Sequence, residues 1–195
     1  MKKLFIIGAF AIVGSVTAQT FGIKAGLNVA SLGNSSEFAD IIGEGEVKSR
    51  LGFNAGLYMN APLSSTVSIQ PEVLYSTKGT NFDTNGEDVS LQLDYLTVPI
   101  MLQYHLVPEF YLEAGPEFGF ATSSKLKYDS DSDDVKDEIN SFDFGVGIGV
   151  GYRISNTNLG ITARYVVGFT DVMKNNSTDE NYTNRVFQAG LQYGF

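Results

Sequence analysis

The sequence predicts an all-β fold, an eight-stranded antiparallel up-and-down β-barrel that fills residues 19–195 as one domain. After Gln19, apolar residues recur at every second position in eight segments, and a helical period is almost absent. The positions between them are rich in glycine, as in Gly145, Gly147, Gly149 and Gly151. The connectors alternate between long and short, so the long ones lie at one end of the strands. These observations together indicate antiparallel strands joined in sequence.

Residues 1–18 have the features of an export signal. Lys2 and Lys3 form a basic start, an apolar run covers residues 4–13, and small residues precede Ala18. The apolar run is shorter than the roughly 20 residues of a membrane-spanning helix. We therefore predict a Sec-type signal peptide at residues 1–18, cleaved after Ala18. A buried N-terminal helix is the alternative.

The first four segments show the alternation, with one irregularity. They cover residues 21–29, 50–59, 67–76 and 94–104. Leu91, Leu93 and Tyr95 are apolar at odd positions, whereas from Leu96 onward the apolar residues are even. One extra residue inverts the parity of a strand, so a β-bulge near Tyr95 is predicted to return all of them to one face.

The last four segments alternate strictly and cover residues 110–120, 142–153, 159–169 and 186–195. Pro71, Pro99 and Pro116 fall inside predicted strands. Proline within a sheet normally marks an edge strand or a bulge, and a closed barrel has no edge. The three prolines are therefore at odds with closure.

Alternation alone does not say which face meets water, but three features place the apolar face outside, in lipid. The interior of an eight-stranded barrel is only just wide enough for side chains, and the apolar set is too large for it. Glycine on the polar face suits a crowded lumen. Aromatic residues cluster near strand ends, as in the girdles of transmembrane barrels. A soluble two-sheet sandwich is the alternative.

The inward face carries charges of both signs. Because an unpaired buried charge is costly, we predict that Arg50, Arg153 and Arg164 pair with acidic residues in a plugged interior. The full predicted lumen charge network is Lys24, Arg50, Glu72, Glu113, Glu117, Asp143, Arg153 and Arg164.

The long connectors are expected to face outside and the short ones the periplasm. The long ones are residues 30–49, 78–89, 121–140 and 171–184. The third contains a weak calcium candidate formed by Asp129, Asp131, Asp133 and Asp134, since alternating carboxylates suit Ca²⁺. The glycine expected at its sixth position is missing and Asn140 takes the twelfth, so a solvated loop is favoured.

Composition and motifs indicate no enzyme, and no catalytic or cofactor-binding residues are predicted. The chain has no cysteine and one histidine, and its net charge of −9 argues against a nucleic-acid partner. His105 lies in a short turn and is best explained as a solvated residue. Glu113 and Glu117 could imitate a carboxylate pair, but they are better explained as partners of lumen arginines. The glycine-rich run 145–151 lies within a strand, so a phosphate-binding loop is rejected.

The C-terminal strand resembles the assembly signal of bacterial outer-membrane barrels, with Gln188, Gly190, Tyr193 and the terminal Phe195 at the matching positions. The pattern is short, and an ordinary last strand is the alternative. The resemblance implies recognition by the barrel-assembly machinery and location in the bacterial outer membrane.

Three stretches resemble the Bacteroidetes-type outer-membrane β-barrel family, which includes PorT-like proteins. They are residues 68–79, 94–99 and 114–116, with the motifs QPE, YLTVP and AGP. The resemblance implies fold and location, and little about activity. The expectation is a non-enzymatic barrel of structural or loop-mediated interaction type, with lipid and an unknown extracellular or periplasmic protein as partners. A passive small-solute pore and a PorT-like accessory factor of secretion or assembly are the alternatives.

Overall fold

The computed structural model describes residues 19–33, 46–84, 87–128, 131–134, 139–174 and 182–195, so the predicted signal peptide lies outside the described residues. The strands are β1 (Thr20–Leu32), β2 (Glu46–Pro62), β3 (Val67–Thr84), β4 (Glu87–His105), β5 (Phe110–Tyr128), β6 (Asp131–Asp134), β7 (Phe142–Arg153), β8 (Leu159–Gly168) and β9 (Asn184–Gly194). Within these ranges no helix is long and apolar enough to cross a membrane.

Eight of the strands close into a ring. Each long strand pairs antiparallel with its neighbour along the chain, β5 pairs directly with β7, and β1 pairs with β9. The four-residue strand β6 pairs only with the end of β5 in the described structure, so it lies outside the ring. The predicted eight-stranded antiparallel up-and-down barrel is confirmed.

The outer surface of the ring is an apolar belt. On β7, the outward side chains Val146, Ile148 and Val150 are 37%, 59% and 39% exposed, while the glycines between them face inward. The belt on this strand runs from Phe142 to Tyr152. Ten steps of about 3.3 Å, tilted by about 40°, give a height of about 25 Å, which matches the apolar band of a transmembrane barrel. The predicted assignment of the two faces is thus confirmed.

A bulge lies next to Tyr95, as predicted, but the extra residue belongs to the neighbouring strand β5. Asp94 pairs with Ser123 and Tyr95 with Ala121, so the extra residue is Thr122 of β5. Strand β4 keeps its parity, and Leu91, Leu93 and Tyr95 are buried inside the barrel. The prediction that a bulge returns these three residues to the outer face is wrong, because the residue is inserted in β5.

Two of the predicted long connectors are largely strand. β3 and β4 remain paired out to Thr84 and Glu87, so most of residues 78–89 forms a hairpin above the belt. β5 likewise continues to Tyr128, and Asp131, Asp133 and Asp134 of the calcium candidate belong to β6. Asp129, the remaining member of that candidate, lies outside the described residues.

The three prolines do not mark an edge. They lie in adjacent strands at nearly the same height, where Pro71 is opposite Ile100 and Pro99 is opposite Glu117. The β4–β5 ladder is interrupted between Pro99 and Leu102, next to Pro116. Proline lacks an N–H donor, so a group of prolines concentrates the lost ladder bonds in one patch of the wall and leaves closure intact.

Candidate functional site

The middle of the lumen holds four charged side chains, Lys24, Glu72, Glu113 and Arg164, which we call the central cluster. They come from β1, β3, β5 and β8 and are at most 5% exposed. Arg164 binds Glu72 with two nitrogens, Nη2 to Oε1 at 2.8 Å and Nη1 to Oε2 at 3.0 Å. Its Nε donates to Glu113 Oε1 at 2.8 Å, and Lys24 Nζ lies 3.0 Å from Glu72 Oε1.

The central cluster is electrically balanced, with two cations and two carboxylates. Amide side chains complete it: Gln70 Nε2 donates to Glu72 Oε1 at 2.9 Å, and Gln103 Nε2 donates to Glu113 Oε2 at 3.2 Å. Ion pairs of this bidentate kind are short and directional. The cluster therefore ties together side chains from four strands across the lumen.

A second group of charges lies nearer the loop end, and its cation was missed in the sequence. Lys78 Nζ contacts Glu117 Oε1 at 3.0 Å and Asp143 Oδ2 at 3.3 Å, and it lies 5.1 Å from the centre of the Tyr95 ring. Asn184 Nδ2 also donates to Asp143 Oδ2, at 3.0 Å. We call Lys78, Glu117 and Asp143 the outer cluster. Lys78 escaped prediction because the third strand was expected to end at residue 76.

Two predicted members of the network lie elsewhere. Arg50 is partly buried and its Nη1 donates to the carbonyl oxygen of Lys78 at 2.9 Å. Arg153 lies over the ring of Tyr111, with its guanidinium carbon 5.8 Å from the ring centre. Neither arginine belongs to the ion pairs found among the described residues.

An apolar lid closes the lumen above the outer cluster. Its buried members are Leu32, Leu91, Leu93, Tyr95, Ile139, Val172 and Tyr182. Backbone hydrogen bonds hold the contributing loops together, from Asn140 N to Val172 O at 2.8 Å and from Val172 N to Tyr182 O at 2.9 Å. The residues that broke the alternation of the fourth segment therefore serve to fill the loop end of the barrel.

Two tyrosines lie inside the lumen toward the opposite end, and each lies across from a glycine of the adjacent strand. Tyr111 pairs with Gly151, and Tyr58 pairs with Gly22. A Cβ atom at either glycine would collide with the ring of the paired tyrosine. The absence of a side chain at these glycines is what allows each aromatic ring to lie directly over the backbone of the adjacent strand.

The single histidine has a hydroxyl neighbour that sequence reasoning did not find. His105 Nε2 lies 3.0 Å from Ser68 Oγ, which is buried and also contacts Gln103 and Asn60. In the described structure no carboxylate is hydrogen-bonded to this ring, and no group of three acidic or histidine side chains could hold a metal ion. The pair therefore lacks the orienting acid of a Ser–His–Asp triad.

The C-terminal strand forms the closing seam of the ring. Gln188 is buried in the lumen, whereas Tyr193 and Phe195 face outward with ring centres 5.8 Å apart. The amide of Phe195 donates to the carbonyl oxygen of Phe21 at 2.8 Å, which joins the last residue to β1. The residues of the predicted assembly signal thus divide between both faces of β9, with the aromatic ones on the outside.

Comparisons with known proteins agree with this architecture. Neisserial surface protein A has a similar structure, with a TM-score of 0.57 and 13% identity over 91% of this chain and 99% of that one. The attachment invasion locus protein Ail of Yersinia pestis is also similar, with a TM-score of 0.52 and 14% identity over 92% of this chain and 100% of that one. No curated protein sequence matches the chain.

At these identities the two structures establish the fold. The family is established by a separate match, because the model of the outer membrane protein beta-barrel domain covers residues 17–174. An outward apolar belt of bilayer height and a polar, filled lumen are the features that such a family requires. The chain therefore belongs to the outer membrane protein beta-barrel domain family and is an integral protein of the bacterial outer membrane.

Proposed function

We propose that this protein is a closed, non-enzymatic barrel that anchors its loop end at the outer surface of the membrane, where its interactions take place. The observation that carries the proposal is the filled lumen. The central cluster, the outer cluster and the apolar lid occupy three successive levels between the short turns and the loops.

The arrangement of the central cluster argues against a passive pore. Arg164 and Glu72 belong to β8 and β3, which lie on different sides of the ring, and they meet through two hydrogen bonds. The interior of an eight-stranded barrel is filled by side chains of this size. A solute or hydrated ion would have to break these bonds to pass, and would leave buried charges without partners.

Conductance across a planar lipid bilayer tests the proposal. We expect the full-length mature protein to insert without discrete conductance steps, because the bonded side chains of the central and outer clusters block the lumen. A wide porin reconstituted in the same membrane serves as the positive control, and protease protection confirms that this protein has inserted.

Conductance steps that change in size in Arg164→Met would show that ions pass through the central cluster. That result would replace the closed barrel with the passive small-solute pore. A silent bilayer containing inserted protein supports the closed barrel.

We also propose that residues 1–18 are a Sec-type signal peptide, because their basic start, short apolar run and small-residue end suit export. N-terminal sequencing of protein purified from the membrane should begin at Gln19. A mature chain that retains Met1 would contradict cleavage.

The finer family assignment and the partners are part of the same proposal. The QPE, YLTVP and AGP stretches support a place among the Bacteroidetes-type, PorT-like barrels, with an accessory role in secretion or assembly as the alternative function. The outward pair Tyr193 and Phe195 supports recognition of β9 by the barrel-assembly machinery, and the apolar belt supports direct contact with outer-membrane lipid. An extracellular or periplasmic protein would be the partner of the loops or turns.

A further inference from the structure

A polar cavity of about 240 Å³ lies at the short-turn end of the lumen, below the central cluster. Its inner wall includes Tyr58, Asn60, Gln70 and Gln192, and Arg153 is the one charged side chain among the described residues that line it. This volume is many times the roughly 10–15 Å³ that one water molecule needs by the same measure. The cavity is therefore large enough for a small organic molecule.

Arg153 is held in place without an ionic partner in the described structure. Its guanidinium lies over the Tyr111 ring, and Tyr111 is in turn fixed by a hydrogen bond from Gln192 Nε2 to its hydroxyl at 3.2 Å. The backbone of Arg153 is fixed as well, because its amide donates to the carbonyl oxygen of Glu109 at 2.7 Å. The side chain is thus oriented by packing, which leaves the polar edge of the guanidinium available.

Arg164, which also lies in the lumen, shows how the charge of a buried guanidinium is normally neutralised. All the charge of Arg164 is matched by Glu72 and Glu113 at distances of 2.8 to 3.0 Å. A guanidinium presents five N–H donors in a plane, an arrangement that fits the paired oxygens of a carboxylate or a phosphate. Arg153 has the same donors, and the other side chains that line the cavity beside it are neutral hydroxyl, amide and apolar groups, with no acidic side chain among them.

We propose that this cavity is a binding site for a small oxyanion, a carboxylate or phosphate compound that enters from the periplasmic side and pairs with Arg153. The guanidinium binds the two oxygens of the anion. The hydroxyl and amide groups of Tyr58, Asn60 and Gln70 face the remainder of the ligand, which favours a compound that carries hydroxyl or amide groups of its own. This site is separate from the loop end and does not depend on whether the barrel conducts.

Nuclear magnetic resonance of the arginine side chains tests the site directly, because the chain contains only four arginines: Arg50, Arg153, Arg164 and Arg185. The Nε–Hε signals of the full mature protein are recorded in a non-ionic maltoside detergent, whose head group carries no phosphate. Inorganic phosphate and acetate are added in separate titrations at fixed pH and ionic strength. We expect the signal of Arg153 to move in a saturable manner with at least one probe, and the response to each probe distinguishes phosphate from carboxylate selectivity.

Arg164 and Arg185 provide internal controls, since Arg164 is buried in ion pairs and Arg185 is exposed on β9 at the other end of the barrel. Their signals should stay within the range of non-specific salt effects. In Arg153→Gln, we expect the affinity measured by calorimetry to fall by about tenfold or more, because a charge-assisted pair is lost. Arg153→Lys keeps the charge but not the planar donors. Its affinity for the anion should therefore lie between that of the unmodified protein and that of Arg153→Gln.

An Arg153 signal that does not respond to either probe at concentrations up to tens of millimolar would overturn the proposal. Equal movement of the Arg153 and Arg185 signals would also overturn it, since surface ion pairing would then account for the effect. The titration of the unmodified protein decides the matter even if the Arg153 variants fail to fold.

Discussion

Replacing Arg164 by methionine should lower the free energy of unfolding by about 3–5 kcal/mol, the range seen when one partner of a buried ion pair is removed. Methionine has a similar length, but it leaves Glu72 and Glu113 facing each other with only Lys24 to balance them. Urea unfolding of the barrel in detergent, followed by circular dichroism, measures the change. The chain contains no tryptophan, so fluorescence would have to use its ten tyrosines.

A matched control comes from Arg185→Met, which alters an exposed arginine and should change stability by no more than about 0.5 kcal/mol. The loss of stability in Arg164→Lys should lie between the losses in Arg164→Met and Arg185→Met, because lysine keeps the charge without the planar donors. If Arg164→Met were as stable as the unmodified protein, the central cluster would contribute nothing and the closed lumen would need another explanation.

Placing valine at Gly151 should destabilise the barrel by about 1–3 kcal/mol, as overpacking does in other protein interiors. The Cβ of any residue at this position meets the ring of Tyr111, which is fully buried and cannot move outward through the wall. The same urea experiment measures the loss.

The Tyr111→Ala background separates overpacking from a general effect of valine. Removing the ring is itself destabilising, because a large buried side chain is lost. In its absence, however, Gly151→Val should be nearly neutral or stabilising, since the added side chain partly fills the space. An equal loss in both backgrounds would show that Gly151 is needed for its backbone and not for its contact with Tyr111.

The sequence was most informative where the bilayer dictates the pattern. Within the belt every outward position meets lipid and every inward one meets other side chains, so a period of two identifies the strands and both faces. Val146, Ile148 and Val150 could be placed for this reason. Of the predicted lumen charges, Arg164, Glu72 and Glu113 could be assigned to one face by parity, although parity alone could not say which pairs would form.

Outside the belt this constraint disappears, and the prediction for the start of β4 was wrong. Leu91, Leu93 and Tyr95 are apolar because they pack under the loops, a contact between residues far apart in the chain. Lys78 lies beyond the expected end of β3, because strands continue above the membrane surface as hairpins. Alternation placed Arg153 on the inward face together with the lumen carboxylates. It says nothing about height along the barrel axis, and Arg153 lies near the short turns, away from those carboxylates.

The seam between β1 and β9 has a kinetic consequence. It brings together Phe21 and Phe195, the two ends of the described domain, so no ring can close until the final strand is available. Contacts between such distant positions require a large loss of chain entropy before any of them forms, which makes folding slow. Because these ends are adjacent, the chain could be circularly permuted, with a short covalent link between the ends and new termini in the turn at residues 154–158. Such a permutant would keep every pair of neighbouring strands but change the order in which the strands are synthesised.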